Sequence, residues 1–389
     1  MNKLVLFGAG KIGRSFIAQL FARSNYEVVF IDKDLEIVAA LNARREYSVI
    51  IKDGSGDKAI SVRNVRGVHA SNENDISREI ANADIMAISV GPKALPIIAP
   101  AIAKGILERQ YEYPDYPLDI ILAENLRNAA KIFGNELKHH LDKSIDISVY
   151  LGLIETSIGK MVPIMPKEVV EQDPLLVYAE PYNTLILDGK AFRNPIPKVA
   201  GLAPKENMPA WVDRKSFIHN LGHAAGAYYG FVHYPEMTYM FEIMAKKDVC
   251  DFAKSVMCQA ADILMGQYPN EFTKNDLKEH IEDLILRFSS QALGDTVYRV
   301  GQDLYRKLGP EERVVGAIKM AIKHNMPYDK ILKTLDYAFR FQARDEQGFV
   351  NPGDSNFMQD ARKGKSYILN KVCGLSKEQY PDIHKQLAK

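Results

Sequence analysis

Cysteine is scarce in this chain: Cys250, Cys258 and Cys373 are scattered through 389 residues. Such a set supports neither a disulfide framework nor a Cys-type zinc site, and its odd number fits a reducing compartment. Buried apolar thiols are the expected role. Charge of one sign is lacking too, since Lys and Arg number 50 against 49 for Asp and Glu. That balance gives no electrostatic reason to expect a nucleic-acid partner. No apolar tract is long enough to cross a bilayer, and the first residues carry neither the basic flank nor the cleavage site of a secretory signal. A cytoplasmic protein acting on small molecules, without membrane or nucleic-acid partners, is therefore expected. Internal repeats and low-complexity tracts are absent as well. What remains is ordinary globular material, 47% hydrophobic and 25% charged, of a length that suggests two domains.

The opening "NKLVLFGAGKIGRSF" begins with an apolar run of the kind expected for a strand buried on both faces of a parallel sheet. Gly8, Gly10 and Gly13 follow at G-x-G-x-x-G spacing, with Ile12 inside the turn. The first glycine permits a tight turn, the second lets a pyrophosphate reach the backbone, and the third lets the helix sit close to the strand. The positive end of that helix would then face the phosphates. A second apolar run, "EVVFID", ends at Asp32, where the fingerprint expects a carboxylate for the adenosine ribose. The same carboxylate would repel a 2′-phosphate, so NAD is expected over NADP. "ADIMAISVG" (83–91) and "LDIILAEN" (118–125) read as further buried strands, each followed by a helical pattern. A doubly wound domain is predicted. Ligands bind beyond the carboxyl ends of such strands, which puts Val90, Gly91, Glu124 and Asn125 at the cofactor crevice. Asn125 has a second reading, as the cap of a helix beginning near Leu126.

Prolines crowd residues 163–209, too often for long helices. Within that stretch "TLILDGKAF" resembles a strand meeting an Asp-Gly turn, so a small hairpin or extra strands are expected beside the first domain. From about Trp211 the periodicity is helical almost to the end, as in "VCDFAKSVMCQAADILMG". The predicted architecture is a Rossmann-type α/β domain with extra strands over 1–195 and an all-helical substrate domain over 196–389.

"DRKSFIHNLGHAAGAYYG" opens that helical half. A helix starting near Asp213 would place Lys215, Asn220 and His223 at 0°, about 140° and about 80° around its axis, within one broad face. Gly222, Gly226 and Gly230 recur every four residues, a stripe suited to close approach of another element. His219 is read as packing or surface. The His139–His140 pair is read as helix surface, since adjacent positions diverge by about 100°.

The spacing Lys-x4-Asn-x2-His, after a dinucleotide fold and before a helical domain, resembles the polyol-specific long-chain dehydrogenase/reductase family. "SVG" at 89–91, "ENL" at 124–126, "EPYNTLILD" at 180–188 and "VDRKSFIHNLGHA" at 212–224 carry the resemblance along the chain. It implies that Lys215 is the general base, that Asn220 and Asn125 hold the reacting oxygen, and that His223 orients the substrate hydroxyl, with no metal. At this chain length it implies NAD-dependent interconversion of D-mannitol 1-phosphate and D-fructose 6-phosphate. The alternatives are the same chemistry on an unphosphorylated hexitol, ketose or hexuronate, or a non-catalytic NAD-binding regulator. The resemblance favours a monomer, although long exposed helices could make a dimer face.

Chemistry gives the assignment its own sense. Oxidising a secondary alcohol requires removal of the hydroxyl proton as hydride leaves carbon, and a lysine made neutral by burial can take it. Two side-chain amides can donate to the developing alkoxide without competing for the proton. Where the family carries Val-Asp-Arg-Ile before a proline, this chain reads Ile158-Gly159-Lys160-Met161-Val162-Pro163. Lysine keeps the charge but lacks the planar fork of arginine. Lys160, Lys190, Arg193 and Arg214 are the candidates for holding a sugar phosphate.

Overall fold

A computed structural model describes residues 1–54, 56–142 and 145–387. The chain forms two compact units, Met1–Val212 and Asp213–Lys389.

The first unit is built on strands β1 (Asn2–Phe7), β2 (Tyr26–Asp32), β3 (Glu46–Ile51), β4 (Lys58–Arg63), β5 (Val65–His69), β6 (Ile85–Ile88), β7 (Leu118–Leu122), β8 (Leu151–Ser157), β9 (Val177–Ala179), β10 (Leu185–Asp188) and β11 (Leu202–Lys205). Eight of them make the main sheet, in the order β11-β10-β8-β7-β6-β1-β2-β5. From β5 to β8 every pairing is parallel, and this is the doubly wound dinucleotide-binding order, which reverses between β1 and β6. Alternate residues feed the two faces. Leu4, Leu6, Val28 and Phe30 enter one apolar cluster, while Val5, Phe7, Val29 and Ile31 enter the other. Burial on both faces is why these strands read as continuous apolar runs rather than as alternation.

The proline-rich stretch adds to this sheet but does not form a hairpin. β10 runs antiparallel to β8, and β11 pairs parallel to β10, so the Asp188 turn leads into a crossover. Because β11 belongs to the first unit's sheet, the unit extends past the expected 195/196 boundary to Val212. A separate three-stranded sheet, β4-β3-β9, was not foreseen; its strands alternate only in part, and β9 is three residues long.

The second unit is helical, as expected. The helix Leu221–His233 sits at its centre, with Leu221, Gly222, Ala224–Tyr228 and Gly230 buried. Its glycine stripe does what the spacing predicted. A Cβ on Gly222 would fall 2.4 Å from Met257, and one on Gly230 would fall 2.6 Å from Ile243. The helices Lys247–Gln267 and Met240–Met244, which carry these neighbours, therefore approach closely. Of the three thiols Cys373 alone is buried, whereas Cys250 is half-buried and Cys258 exposed. This corrects the expectation of three buried thiols: Cys250 and Cys258 lie in one i, i+4 row with Lys254, which reaches out to Glu282. Among the described residues no helix is long and apolar enough to cross a membrane, and no His, Cys, Asp and Glu side chains group to hold a metal ion.

Candidate functional site

In the first unit the glycine turn has the three properties the spacing called for. Gly8 adopts φ +97° and a Cβ there would meet the Ser89 carbonyl oxygen at 2.6 Å; a Cβ on Gly13 would lie 2.1 Å from the Gly8 oxygen. Gly10, by contrast, faces open space, with nothing within 4 Å of a Cβ. The turn is thus tight on its inner side and bare on its outer side, the form a pyrophosphate needs. Ile12 is half-buried and packs on the core cluster. At the end of β2, Asp32 accepts hydrogen bonds from the N–H groups of Ala9 (2.6 Å) and Asp34 (3.0 Å).

Val90 and Gly91 follow β6, and both of their N–H groups donate to Glu124 Oε1, at 2.8 and 2.9 Å. Burial raises the Glu124 carboxyl above its usual range, and these two donors oppose the rise. Strand-end reasoning located Glu124 without giving it a role; the structure shows it fastening the ends of β6 and β7 together. Asn125, next along, is exposed. The helix after β7 begins at Ala129 with Asn128 before it, so Asn125 does not cap that helix.

Of the four basic candidates, the three in the first unit are each placed apart from an anion site. Lys160 is buried, and its ammonium donates to the carbonyl oxygens of Glu180 (3.1 Å) and Tyr182 (2.6 Å) and to Asn183 Oδ1 (3.1 Å). It also lies over the Phe16 ring. This lysine joins the two ends of the 158–183 segment and rests on Phe16 of the core. Lys190 is exposed opposite Glu206, at 3.7 Å, and Arg193 is exposed with its Nη1 on the Ala191 carbonyl oxygen. Arg214 belongs to the second unit, where it is half-buried.

In the second unit Lys215 and Asn220 bound a π-helical segment, Lys215–Asn220, between the helices Met208–Arg214 and Leu221–His233. The helix therefore starts earlier than the Asp213 expected, and its winding changes at the candidate residues. Leu221 N–H bonds to the Ser216 oxygen five residues back. A π turn rotates each residue by less than the α-helical 100°, so residues five apart come nearer to one line. Lys215 and Asn220 are thereby closer in direction than the predicted 140°.

The electrostatics suit a neutral base. Burial lowers the Lys215 pKa to about 7, with repulsion from Arg313 next in size, Glu312 opposing and Arg306 adding a smaller push. Loss of water is also the main reason His223 falls to about 4, where Asp295 opposes and Lys307, Arg299 and Arg313 add to the fall. His223 stacks on Phe288, with centroids 4.3 Å apart and planes at 2°. Its Nε2 is buried without a hydrogen-bond partner. A stacked, neutral imidazole with one unused nitrogen is available to a hydroxyl group. His219 is packing, as expected: buried, edge-on to Phe288 at 5.5 Å, and driven well below its ordinary pKa first by burial.

Sequence reasoning passed over a basic group around Lys215. Lys307 and Arg313 are both buried; Lys307 donates to the Val300 carbonyl oxygen at 2.6 Å, and burial lowers it to about 7. The run "YRKLGPEER" is the signal that could have pointed there.

Comparison with known proteins identifies the family. Residues 2–201 match the family described as mannitol dehydrogenase Rossmann domain, and residues 207–377 match the mannitol dehydrogenase C-terminal domain. The mannitol-1-phosphate 5-dehydrogenase of Streptococcus mutans is 32% identical over 351 residues, covering 89% of this chain and 90% of that one. Its counterpart in Lactococcus lactis subsp. cremoris is 30% identical over 379 residues, covering 97% and 95%. Among solved structures, Pseudomonas fluorescens mannitol 2-dehydrogenase in a ternary complex with NAD and D-mannitol aligns with a TM-score of 0.71 at 14% identity, covering 100% of this chain and 94% of that one. A substrate-free D-sorbitol dehydrogenase aligns at 0.77 and 14%, covering 99% and 90%; both show the fold. The chain belongs to the mannitol dehydrogenase family.

Proposed function

We propose that the protein is a metal-free, NAD-dependent oxidoreductase that interconverts D-mannitol 1-phosphate and D-fructose 6-phosphate. The observation that carries the reading is Lys215, whose pKa of about 7 leaves a large neutral fraction at neutral pH. The relatives named mannitol-1-phosphate 5-dehydrogenase, aligned over nearly their whole length, support the substrate.

Gly8, Gly10, Ile12 and Gly13 would receive the pyrophosphate of NAD, Asp32 the adenosine ribose, and Val90 and Gly91 would border the cofactor at the end of β6. The carboxylate of Asp32 favours NAD over its 2′-phosphorylated form. NAD supplies the hydride acceptor. Lys215 takes the substrate hydroxyl proton onto Nζ, and the Asn220 amide donates to the oxygen as negative charge develops there. His223 Nε2 fixes the hydroxyl, and the Phe288 ring holds the imidazole plane. In the reverse direction Lys215 returns the proton to the ketone oxygen.

An unphosphorylated substrate is the second reading. It is favoured by the commitments of Lys160 to three protein oxygens and of Lys190 and Arg193 to the surface. Oxidation of NADH by fructose 6-phosphate, fructose and a hexuronate, compared in wild type and Lys215→Ala, separates the readings. Turnover confined to fructose 6-phosphate and lost in the variant is the expected result. Turnover on fructose or the hexuronate alone would transfer the chain to the second reading.

A further inference from the structure

We propose that Arg313 anchors the phosphate group of the substrate. The inference rests on the reading that the substrate is a hexitol phosphate, and it names a residue of the second unit for that phosphate.

Position comes first. The helix Val315–Lys323 begins two residues after Arg313, and its start packs on the π segment: a Cβ on Gly316 would fall 3.0 Å from Phe217 Cε1. Among the charged groups that act on Lys215, Arg313 has the largest effect, and it acts on His223 too. A group held by Arg313 would thus lie within electrostatic reach of both residues.

Chemistry comes second. The Arg313 side chain is 9% exposed, so its guanidinium has lost most of its water. Its acidic partner is the adjacent Glu312, whose Oε2 receives Nε and Nη2 at 3.4 Å each, near the outer limit of a hydrogen bond. Nη1 donates to none of the described residues. Glu312 is shared with Arg306, which also pairs with Asp303, and Asp354 is engaged by the N–H groups of Asp303 and Leu304. Between them, Arg306 and Arg313 therefore have Glu312 and Asp303 as their paired acids. A buried guanidinium held only by two long contacts to one carboxylate oxygen keeps the capacity to take a further anion. A guanidinium with a free edge offers a phosphate dianion two parallel hydrogen bonds, a charge-assisted pair that a neutral hexitol cannot form. The helix Val315–Lys323 also starts without a side-chain cap, so its positive end adds to the same potential.

The test uses the full chain with NADH, fructose 6-phosphate and fructose, in wild type, Arg313→Gln and Arg313→Lys. Expected is a KM for fructose 6-phosphate raised about 10- to 100-fold in Arg313→Gln, with a smaller change in kcat. The preference over fructose should collapse, and Arg313→Lys should recover part of it. Inorganic phosphate should compete with fructose 6-phosphate in wild type and far less in Arg313→Gln. Should Arg313→Gln fail to fold, Arg313→Lys still reads the loss of the fork. A wild-type preference retained in both variants, or equal inhibition by inorganic phosphate, overturns the proposal. If wild type does not prefer fructose 6-phosphate, the substrate reading fails by itself. Calorimetric titration with inorganic phosphate then decides the anion site: heat seen in wild type and lost in Arg313→Gln upholds it, and heat absent or unchanged overturns it.

Discussion

Each unit contains a π-helical segment next to its candidate site, Gly13–Ala18 in the first and Lys215–Asn220 in the second. In the first, all six residues are buried; Arg14 turns back to the Pro174 carbonyl oxygen and gives its own carbonyl to Tyr47. In the second, the four inner residues are buried, while Lys215 and Asn220 at its ends stay half-buried. The nucleotide unit works through backbone and the absence of side chains, so its widened helix serves packing. On the proposed reading the helical unit would work through side chains, and its widened helix sets their direction. Single π turns recur at functional sites, and here the same distortion serves a different end in each unit.

The comparison breaks most sharply at Lys215. Lys215→Ala should lower kcat by about 100- to 10,000-fold, the range of a lost general base, with NADH affinity by fluorescence titration unchanged. In wild type, kcat/KM for alcohol oxidation should rise with pH through about 7 and then level, because the neutral lysine is the reactive form. Ketone reduction needs the protonated form and should fall through the same pH. Both limbs follow from the lowered Lys215 value, and flat profiles between pH 6 and 8 would remove Lys215 from the proton step.

The glycines sharpen the other side. Gly13→Ala forces a Cβ to 2.1 Å from the Gly8 oxygen and should cost about 1–3 kcal/mol of stability or more, seen in thermal melts. Gly10→Ala meets nothing, so stability should stay within about 0.5 kcal/mol while NADH affinity falls about 10-fold or more. Equal melting losses in both variants would contradict the bare outer side of the turn. Gly222→Ala should cost about 1–3 kcal/mol through Met257, with NADH binding intact. Smallest of all, Lys190→Ala and Arg193→Ala should change neither stability, beyond about 0.5 kcal/mol, nor kcat/KM.

This contrast also explains what could be read from the sequence. The parallel core, the glycine turn and Asp32 were legible because each follows from local chain chemistry: apolar runs, positive φ and a strand-end carboxylate. The spacing put Lys215, Asn220 and His223 on one helical stretch, as found, but its geometry was misjudged, since a π turn leaves no periodic mark in six residues. Lys160 shows the opposite difficulty. A lone lysine reads as a surface charge or an anion ligand, and nothing local announces that Glu180, Tyr182 and Asn183, some twenty residues on, will surround it. Arg313 was hidden similarly, because "PEER" looks like a solvated turn until burial is known.

Asp32 carries a consequence for the adaptability of the chain. Its carboxylate already holds Ala9 N–H within the glycine turn and Asp34 N–H beyond β2, so the side chain proposed to select the cofactor also braces the glycine loop. A change of preference toward the 2′-phosphorylated cofactor could not be achieved by removing this charge alone. Any such route has to supply a replacement acceptor for the turn in the same step, which makes the preference for NAD difficult to reverse by single substitutions.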